Sequence, residues 1–462
     1  VNLIGPLTSR LVLGAALLPK SVHSGYNALA AFPPTTSMSI DRLDPGPGAA
    51  EPTRVAPVKT LRRGTRAYRL ASVALFLAGF ATFAALYCVQ PLLPIFAKQF
   101  DISPTESSLA LSVSTGFLAF AIFLAAPVSE LLGRRGLMFA SMSAAALCNL
   151  AAAVSPSWHL LIMLRGAEGI ALGGVPAVAM AYLAEEMDAS GLGFAMGLYV
   201  AGTAFGGMAG RVITGAVAQA LSWRWALSCI GISGLLAAAG FYLWLPPSQN
   251  FSPQKDFDSR FHVRAWFAHL SQPALLLLFA IAFVSMGSFV AAYNFIGFRL
   301  TAAPYWLNQT QLGLIFTVYL FGIGASSLAG LITDKIDRRV VLPIATLVTA
   351  LGVATTLAHQ LPIIVLGIAL LTSGFFVVHS VASAWVGQLA RGAKGHASSL
   401  YLLAYYIGSS AMGSAAGWFY AQGGWSRLVQ FVIGLLALGL VASVLLYRIV
   451  APRIRLLDTL QR

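Results

Sequence analysis

Long apolar stretches, each about the length of a bilayer crossing, alternate with short polar breaks along most of this chain. A helix needs roughly 20 apolar residues to span the hydrocarbon core. Twelve stretches meet that length: residues 70–94, 107–131, 137–155, 158–182, 193–219, 225–245, 273–297, 309–332, 340–358, 362–388, 397–420 and 426–448. None shows the two-residue alternation of a membrane β-strand. The pattern predicts an all-α integral membrane protein with twelve transmembrane helices. The breaks are short except over 246–272, which carries Lys255, Asp256, Asp258, Arg260 and Arg264. That stretch leaves six spans on each side. The expected organisation is a six-helix bundle over 67–245, a central loop over 246–272, a second six-helix bundle over 273–448 and a tail over 449–462. Residues 1–66 hold no spanning run and crowd Pro and Gly after Asp44. They are expected to be disordered, or to include translation from a start set too far upstream, with Met38 as the true start.

Composition sharpens this picture. The 462 residues are 58% hydrophobic and 10% charged, with a mean hydropathy of +0.79. Water-soluble domains carry about 25% charged residues, so lipid is the expected solvent for most of the surface, and the bilayer is the first partner. The 29 Lys and Arg outnumber the 15 Asp and Glu. They lie in short clusters between apolar runs, not on one basic face with stacking aromatics, so no nucleic acid is expected. Lys98, Arg224, Arg299 and Arg427 stand on one set of loops, and nearly all the other bases stand on the opposite set. Basic loops stay in the cytoplasm, which predicts two cytoplasmic termini. Cys88, Cys148 and Cys229 sit inside apolar runs without paired spacing, and read as packing residues, not as a disulfide or metal site. No phosphate-binding GxxxxGK[ST], HExxH, GxSxG or channel-filter sequence occurs, so neither an ATP-driven pump, an enzyme nor a channel is indicated. No cofactor is expected.

The two halves echo each other. Leu198-Tyr199 recurs as Leu400-Tyr401, and Tyr199 to Trp223 spans the same 24 residues as Tyr401 to Trp425. Gly206 and Gly215 recur at the same offset of 202 as Gly408 and Gly417. At an offset of 204, Glu130-Leu-Leu-Gly133-Arg134-Arg135 recurs as Asp334-Lys-Ile-Asp-Arg338-Arg339. Parallel six-helix repeats of this kind enclose a transport site near the bilayer midplane.

On these residues the chain resembles the major facilitator superfamily. That family's loop signature, Gly-x-x-x-Asp-Arg-x-Gly-Arg-Arg, reads here Ala126-Pro-Val-Ser-Glu130-Leu-Leu-Gly133-Arg134-Arg135. Ala stands for the first Gly, Glu for Asp, and the first Arg is lost. The second copy starts at Gly330 and keeps Asp334, Arg338 and Arg339. Arg165-Gly-Ala-Glu168-Gly169 looks like the family's Arg-x-x-Gln-Gly motif. Gly202, Gly206, Gly207 and Gly210 resemble the glycine motif of its exporters, without the usual Gly-Pro pair. The general likeness is to bacterial inner-membrane drug and sugar efflux permeases. The resemblance implies a monomeric secondary transporter in the bacterial inner membrane. Export of a small solute against a proton gradient is the leading expectation; proton-coupled uptake, or a sensor built on a transporter fold, are the alternatives.

The residues themselves leave several roles open. Glu130, Gly133, Arg134, Arg135, Asp334, Arg338 and Arg339 can form a cytoplasmic gate latch, or the arginines can simply hold their loops inside. Gly202, Gly206 and Gly210 share a helix face, for plain packing or for a pliable, rocking helix. Glu168 is the acid expected near mid-span, with Arg165 one turn away and Arg211 deep in the fifth span. It can carry a proton with either arginine as competitor, or form a permanent ion pair. Tyr87, Gln90, Asn294, His379 and Tyr405 are candidates for the substrate cavity, with Pro91 expected to kink the first span beside Gln90. Tyr401, Tyr405, Tyr406 and Trp385 can line an aromatic pocket or merely pack. Trp223-Arg224-Trp225 reads as an interfacial anchor.

Overall fold

The computed structural model describes residues 60–251 and 259–460, with the backbone alone over 125–132, at 259 and over 451–460. The expected extension over 1–66 therefore falls almost wholly outside the described residues, as do Lys255, Asp256, Asp258 and the side chain of Glu130. The apolar runs fold into long helices, labelled here in chain order: α1 Arg66–Gln99, α2 Pro104–Leu132, α3 Arg134–Ala153, α4 Trp158–Glu186, α5 Ala189–Ala220 and α6 Trp223–Trp244. The second half supplies α7 Pro273–Thr301, α8 Gln309–Thr333, α9 Arg338–Thr355 and α10 Leu361–Leu389. The last two spans form one helical run, Lys394–Leu460, broken at Gly423 and Gly424. Their positions before and after the break are α11 and α12. Gly424 has φ +60, a left-handed conformation natural for glycine, so the chain reverses there without a loop. The turn expected at 421–425 is thus shorter than the sequence pattern predicts. The central loop also holds a helix, Ser259–Leu270, too short and too polar to read as a spanning run.

Local chemistry fixes the helix ends. Ser103 accepts the amide of Glu106 while the Glu106 carboxylate accepts the amide of Ser103, closing a capping box at α2. Asn308 and Gln311 repeat the device at α8. Asp188 caps α5 and Asp337 caps α9. Gly133, at φ +70, joins α2 to α3 with no intervening loop.

Three of the described spans are interrupted: α4 breaks at Gly173, between Leu172 and Gly174, and α1 and α8 each hold a 3₁₀ turn. In α1 the α-helix ends at Tyr87 and a 3₁₀ turn, Gln90–Leu92, carries Pro91 before the helix resumes at Leu93. Pro91 cannot donate to the ladder, and its ring clashes with the carbonyl one turn back. In α8 a 3₁₀ turn, Phe316–Val318, interrupts the span. Irregular backbone at membrane depth persists only where protein or a cavity covers it.

The exterior is apolar: Leu124, Met163, Leu236, Leu243 and Leu438 are all more than 60% exposed. Such a belt costs little in lipid and a great deal in water. Inside each half, small residues set the packing. A methyl group on Gly202, Gly206 or Gly210 would lie 2.4, 2.1 or 2.6 Å from the carbonyl oxygens of Phe76, Phe80 and Ala84 on α1. Its repeat mate Gly408 meets the Phe283 carbonyl of α7 at 2.1 Å. The α1–α5 and α7–α11 pairs are therefore backbone-to-backbone contacts of one design.

The halves meet from mid-depth to the end remote from the central loop. Gly215 of α5 would place a methyl 2.6 Å from the Gln309 carbonyl, and the Gln309 amide donates to Gln219 at 3.0 Å. Gly417 of α11 abuts Thr105 of α2, and Ser410 donates to the Ser112 carbonyl at 2.7 Å. Toward the central-loop end α5 and α8 part company: α5 packs extensively on Gln309–Ile315 and only slightly on Tyr319–Thr333. There the Trp266 ring of the Ser259–Leu270 helix stacks on Phe123 of α2 at 3.9 Å.

Candidate functional site

The deepest polar chemistry between the halves is built on Arg211. Its side chain is fully buried. Its Nε donates to Gln90 Oε1 at 2.5 Å and one terminal nitrogen donates to the Gly207 carbonyl at 2.5 Å. The other terminal nitrogen, Nη2, has no hydrogen-bond partner. Gln90 passes the connection on: its Nε2 donates to Asn294 Oδ1 at 2.8 Å, and the Asn294 Nδ2 is left without a partner. Gln90 lies on α1 and Asn294 on α7, so this bond crosses between the halves. Their separation of 204 residues is the offset of the loop repeat.

Rings enclose the guanidinium. Its carbon lies 4.3 Å from the Tyr87 ring centre, 4.7 Å from Tyr319, 5.2 Å from Phe316 and 6.0 Å from Tyr293. Each such contact contributes about 0.5–2 kcal/mol. Removing an unpaired ion from water costs far more than that. Among the described residues no carboxylate pairs with Arg211. Both 3₁₀ interruptions fall on this site, since Gln90 belongs to that of α1 and Phe316 to that of α8.

Glu168 and Arg165 form a separate, fully buried ion pair inside the first half. Arg165 is held on all sides: Nε donates to the Ala110 carbonyl at 2.8 Å, Nη2 to Leu86 at 2.8 Å and Nη1 to Ala85 at 3.3 Å. It thereby pins α4 to α1 and α2. One Glu168 oxygen accepts from Arg165 and the other has no partner. Of the two arginines expected to compete for Glu168, Arg165 alone binds it; Arg211 turns away to Gln90. The reason is the α1 break, which delivers the Gln90 amide to Arg211.

His379 and Tyr405 occupy the second half, ring centres 4.7 Å apart, with the Tyr401 hydroxyl 3.0 Å from His379 Nδ1. A run of rings joins them to the arginine: Tyr319 to Phe289 at 5.8 Å, Phe289 to Phe375 at 4.0 Å, and Phe375 to His379 at 6.2 Å. Tyr87, Gln90, Asn294 and Arg211 are brought into one cluster, with His379 and Tyr405 at the far end of the ring run. Tyr293, Phe316 and Tyr319 escape the sequence reading. Apolar runs rich in Phe and Tyr do not show which rings face a charge, although Phe316 and Tyr319, three residues apart, share a helix face.

The loop motifs sit elsewhere. Arg134 pairs with Glu185 at 2.9 Å, and Arg135 lies over Tyr242 and donates to its carbonyl. Arg338 donates to Gln388, and Arg339 pairs with Asp337, its Nε 2.6 Å from Oδ2. These contacts fasten neighbouring elements within a half. Asp334 is exposed at the end of α8. In Trp223-Arg224-Trp225, Trp223 is buried edge-on against Phe96 at 5.3 Å, Arg224 donates to the Ala153 and Ser155 carbonyls at the end of α3, and Trp225 is 58% exposed. Among the described residues no group of His, Cys, Asp and Glu is arranged to hold a metal ion.

Two six-helix halves around a buried interdomain site find their match in known proteins. The family model for the Major Facilitator Superfamily matches residues 75–307 and 284–460. The chain belongs to the major facilitator superfamily. This major facilitator is 42% identical over 380 residues to the uncharacterized MFS-type transporter YybF of Bacillus subtilis, covering 82% of this chain and 94% of that one. It is 40% identical over 392 residues to the inner membrane transport protein YnfM of Escherichia coli, covering 85% and 94%. Its fold is that of a bacterial homologue of the lysosomal transporter Spinster, solved inward-facing and occupied, with TM-score 0.67 at 14% identity over 84% of this chain and 98% of that structure. It is a multi-pass membrane transporter of twelve-helix architecture.

Proposed function

We propose that this transporter exports a small solute across a bacterial inner membrane by alternating access, driven by inward proton flow, with both termini in the cytoplasm. The observation that carries the reading is the buried cross-half cluster of Arg211, Gln90 and Asn294. It lies where contacts must break and reform if the halves rock. Packing between α5 and α8 at Gly215 and Gly313 closes the end remote from the central loop. The bases flanking the spans cluster at the central-loop end, which the positive-inside rule assigns to the cytoplasm. In this reading the halves part toward the cytoplasm, ready to load a solute for export. Glu168 is the proton site in this scheme: it is buried, half satisfied and on a helix pinned to α1 by Arg165. Protonation would neutralise Glu168 and leave Arg165, still held by its carbonyl bonds to α1 and α2, as an uncompensated charge at that contact. The glycine face of α5 supports export over uptake, as the pliable element of the first half.

The test is transport in proteoliposomes under an imposed pH gradient, screened over drugs, sugars and organic acids. Expected is solute movement against its gradient when the trans side is acid. If every solute moves regardless of the gradient, proton coupling is wrong.

A further inference from the structure

Among the described residues Arg211 is a buried cation without a counter-charge. The described acids nearest to a membrane-depth partner are already engaged. Glu168 is bound to Arg165, and Glu186 accepts the amides of Gln249 and Asn250 at the central-loop end. Two donors at the cluster remain idle: Nη2 of Arg211 and Nδ2 of Asn294. Both belong to side chains bonded to the one Gln90 amide on the interface between the halves, Arg211 at its oxygen and Asn294 at its nitrogen. A buried guanidinium holding a free N–H and an amide holding a free N–H present the donor set that a carboxylate accepts from. The rings supply no charged acceptor, although the Tyr319 hydroxyl is a neutral one beside Arg211. They offer a face to the cation and an apolar wall to whatever lies beside it.

The repeat shows that the charge is not structural necessity. At the 202 offset the equivalent of Arg211 is Gly413. The α7–α11 pair packs as closely as α1–α5 without any guanidinium there. A methyl group on Gly413 would lie 3.4 Å from Asn294 Nδ2 and 3.6 Å from Ser112 Oγ, itself another unpartnered buried polar atom. One half thus carries a cation, and the other carries small residues beside idle polar groups. The ring run from Tyr319 through Phe289 and Phe375 to His379 and Tyr405 leads away from the cation along the second half.

We infer that Arg211 and Asn294 form the recognition point for the carboxylate of the transported solute, with its apolar or aromatic body laid along the ring run toward Tyr405. The inference rests on the transporter reading and adds the substrate class: a small monocarboxylate with a hydrophobic body. Binding supplies the missing negative charge to the cage and takes up both idle donors, so the loaded site is electrically balanced and the empty one is not.

The experiment uses the full chain in lipid nanodiscs, with thermal melting followed against benzoate, phenylacetate and hexanoate and against the matching amides. Expected is a rise in melting temperature with at least one acid, with an apparent affinity at least tenfold above that for its amide. Arg211→Gln should abolish the acid response, and Arg211→Lys should weaken it about tenfold, because an ammonium lacks the planar fork. Asn294→Asp is the variant that guards against misfolding. It places a fixed carboxylate one hydrogen-bonded amide, that of Gln90, away from the guanidinium, so the protein should melt no lower than wild type while losing the acid response. Equal shifts from acids and amides, no shift from any acid, or an acid shift that survives in folded Asn294→Asp protein would each overturn the assignment. Gradient-driven transport of a neutral or cationic solute that is untouched by Asn294→Asp would also overturn it while leaving the transporter reading intact. Conversely, acid binding without any gradient-driven movement would uphold this site and remove the proton coupling instead.

Discussion

At the scale of single residues, two buried arginines in one half do different work. Arg165 spends its donors on backbone carbonyls of α1 and α2 and on Glu168; Arg211 keeps one terminal nitrogen idle among rings. Glu168→Gln separates a carrier from a strut. Three carbonyl bonds to Arg165 survive the change, so the protein should fold, and proton-driven transport should fall at least tenfold while solute exchange without a gradient persists. Unchanged gradient-driven transport would discard the carrier role. Outside the spans, Asp337 accepts from the side chain and amide of Arg339, which holds its carboxyl below the ordinary value of 3.8. A carboxyl held low stabilises the fold above its ordinary range, and that stabilisation is lost as the pH falls through its folded-state value. Asp337→Asn should therefore melt slightly lower at neutral pH and decline less steeply below about pH 4. The effect is small because the pair is partly solvated. Melting curves from neutral pH into the acid range would reveal it, and identical acid limbs would exclude it.

At the scale of helices, close backbone approach organises both halves. Gly206 sets α5 against the Phe80 carbonyl with no room for a methyl group, and a carbonyl in a helix cannot rotate away. Gly206→Val should cost about 1–3 kcal/mol through overpacking. It would be read as lower melting temperature and poorer recovery in detergent; wild-type behaviour would mean that the two helices can separate freely. The same glycines were visible in the sequence as a four-residue spacing, because periodicity reports a face directly. What the spacing could not report is the partner. Twelve spans were legible from apolar length alone, apart from the turn at Gly423 and Gly424, where glycine replaces a polar loop. The α1 break was foreseeable from Pro91. The α8 break was not, since Phe316–Val318 contains neither proline nor glycine. Gln90, Asn294 and Arg211 stood out as polar residues in apolar runs, but their meeting depends on how two distant bundles dock, which no local pattern encodes. The Tyr293, Phe316 and Tyr319 rings looked like ordinary core for the same reason.

At the scale of the whole molecule, the halves touch from mid-depth to one end and diverge toward the other. Gln219 and Gln309 face each other across the closed end, within reach of a 3.0 Å hydrogen bond. Cysteines at both positions should cross-link under mild oxidation and stop transport, with recovery on reduction. Full transport in the cross-linked protein would show that this end need not open. Cytoplasmic placement of the central loop has its own check in tag accessibility.

The Gln90–Asn294 bond joins equivalent positions of the two repeats. In a two-fold dimer such a position would face its own copy, as self-contacts on a dyad must. A single chain is free to break that equality, and this one has done so with an arginine on one side and a glycine on the other. The consequence is polarity of response: a charged visitor arriving on the axis pulls on the first bundle by electrostatics and on the second mainly by shape. The two bundles are then unequal levers, and the order in which they let go is written into that one mismatch.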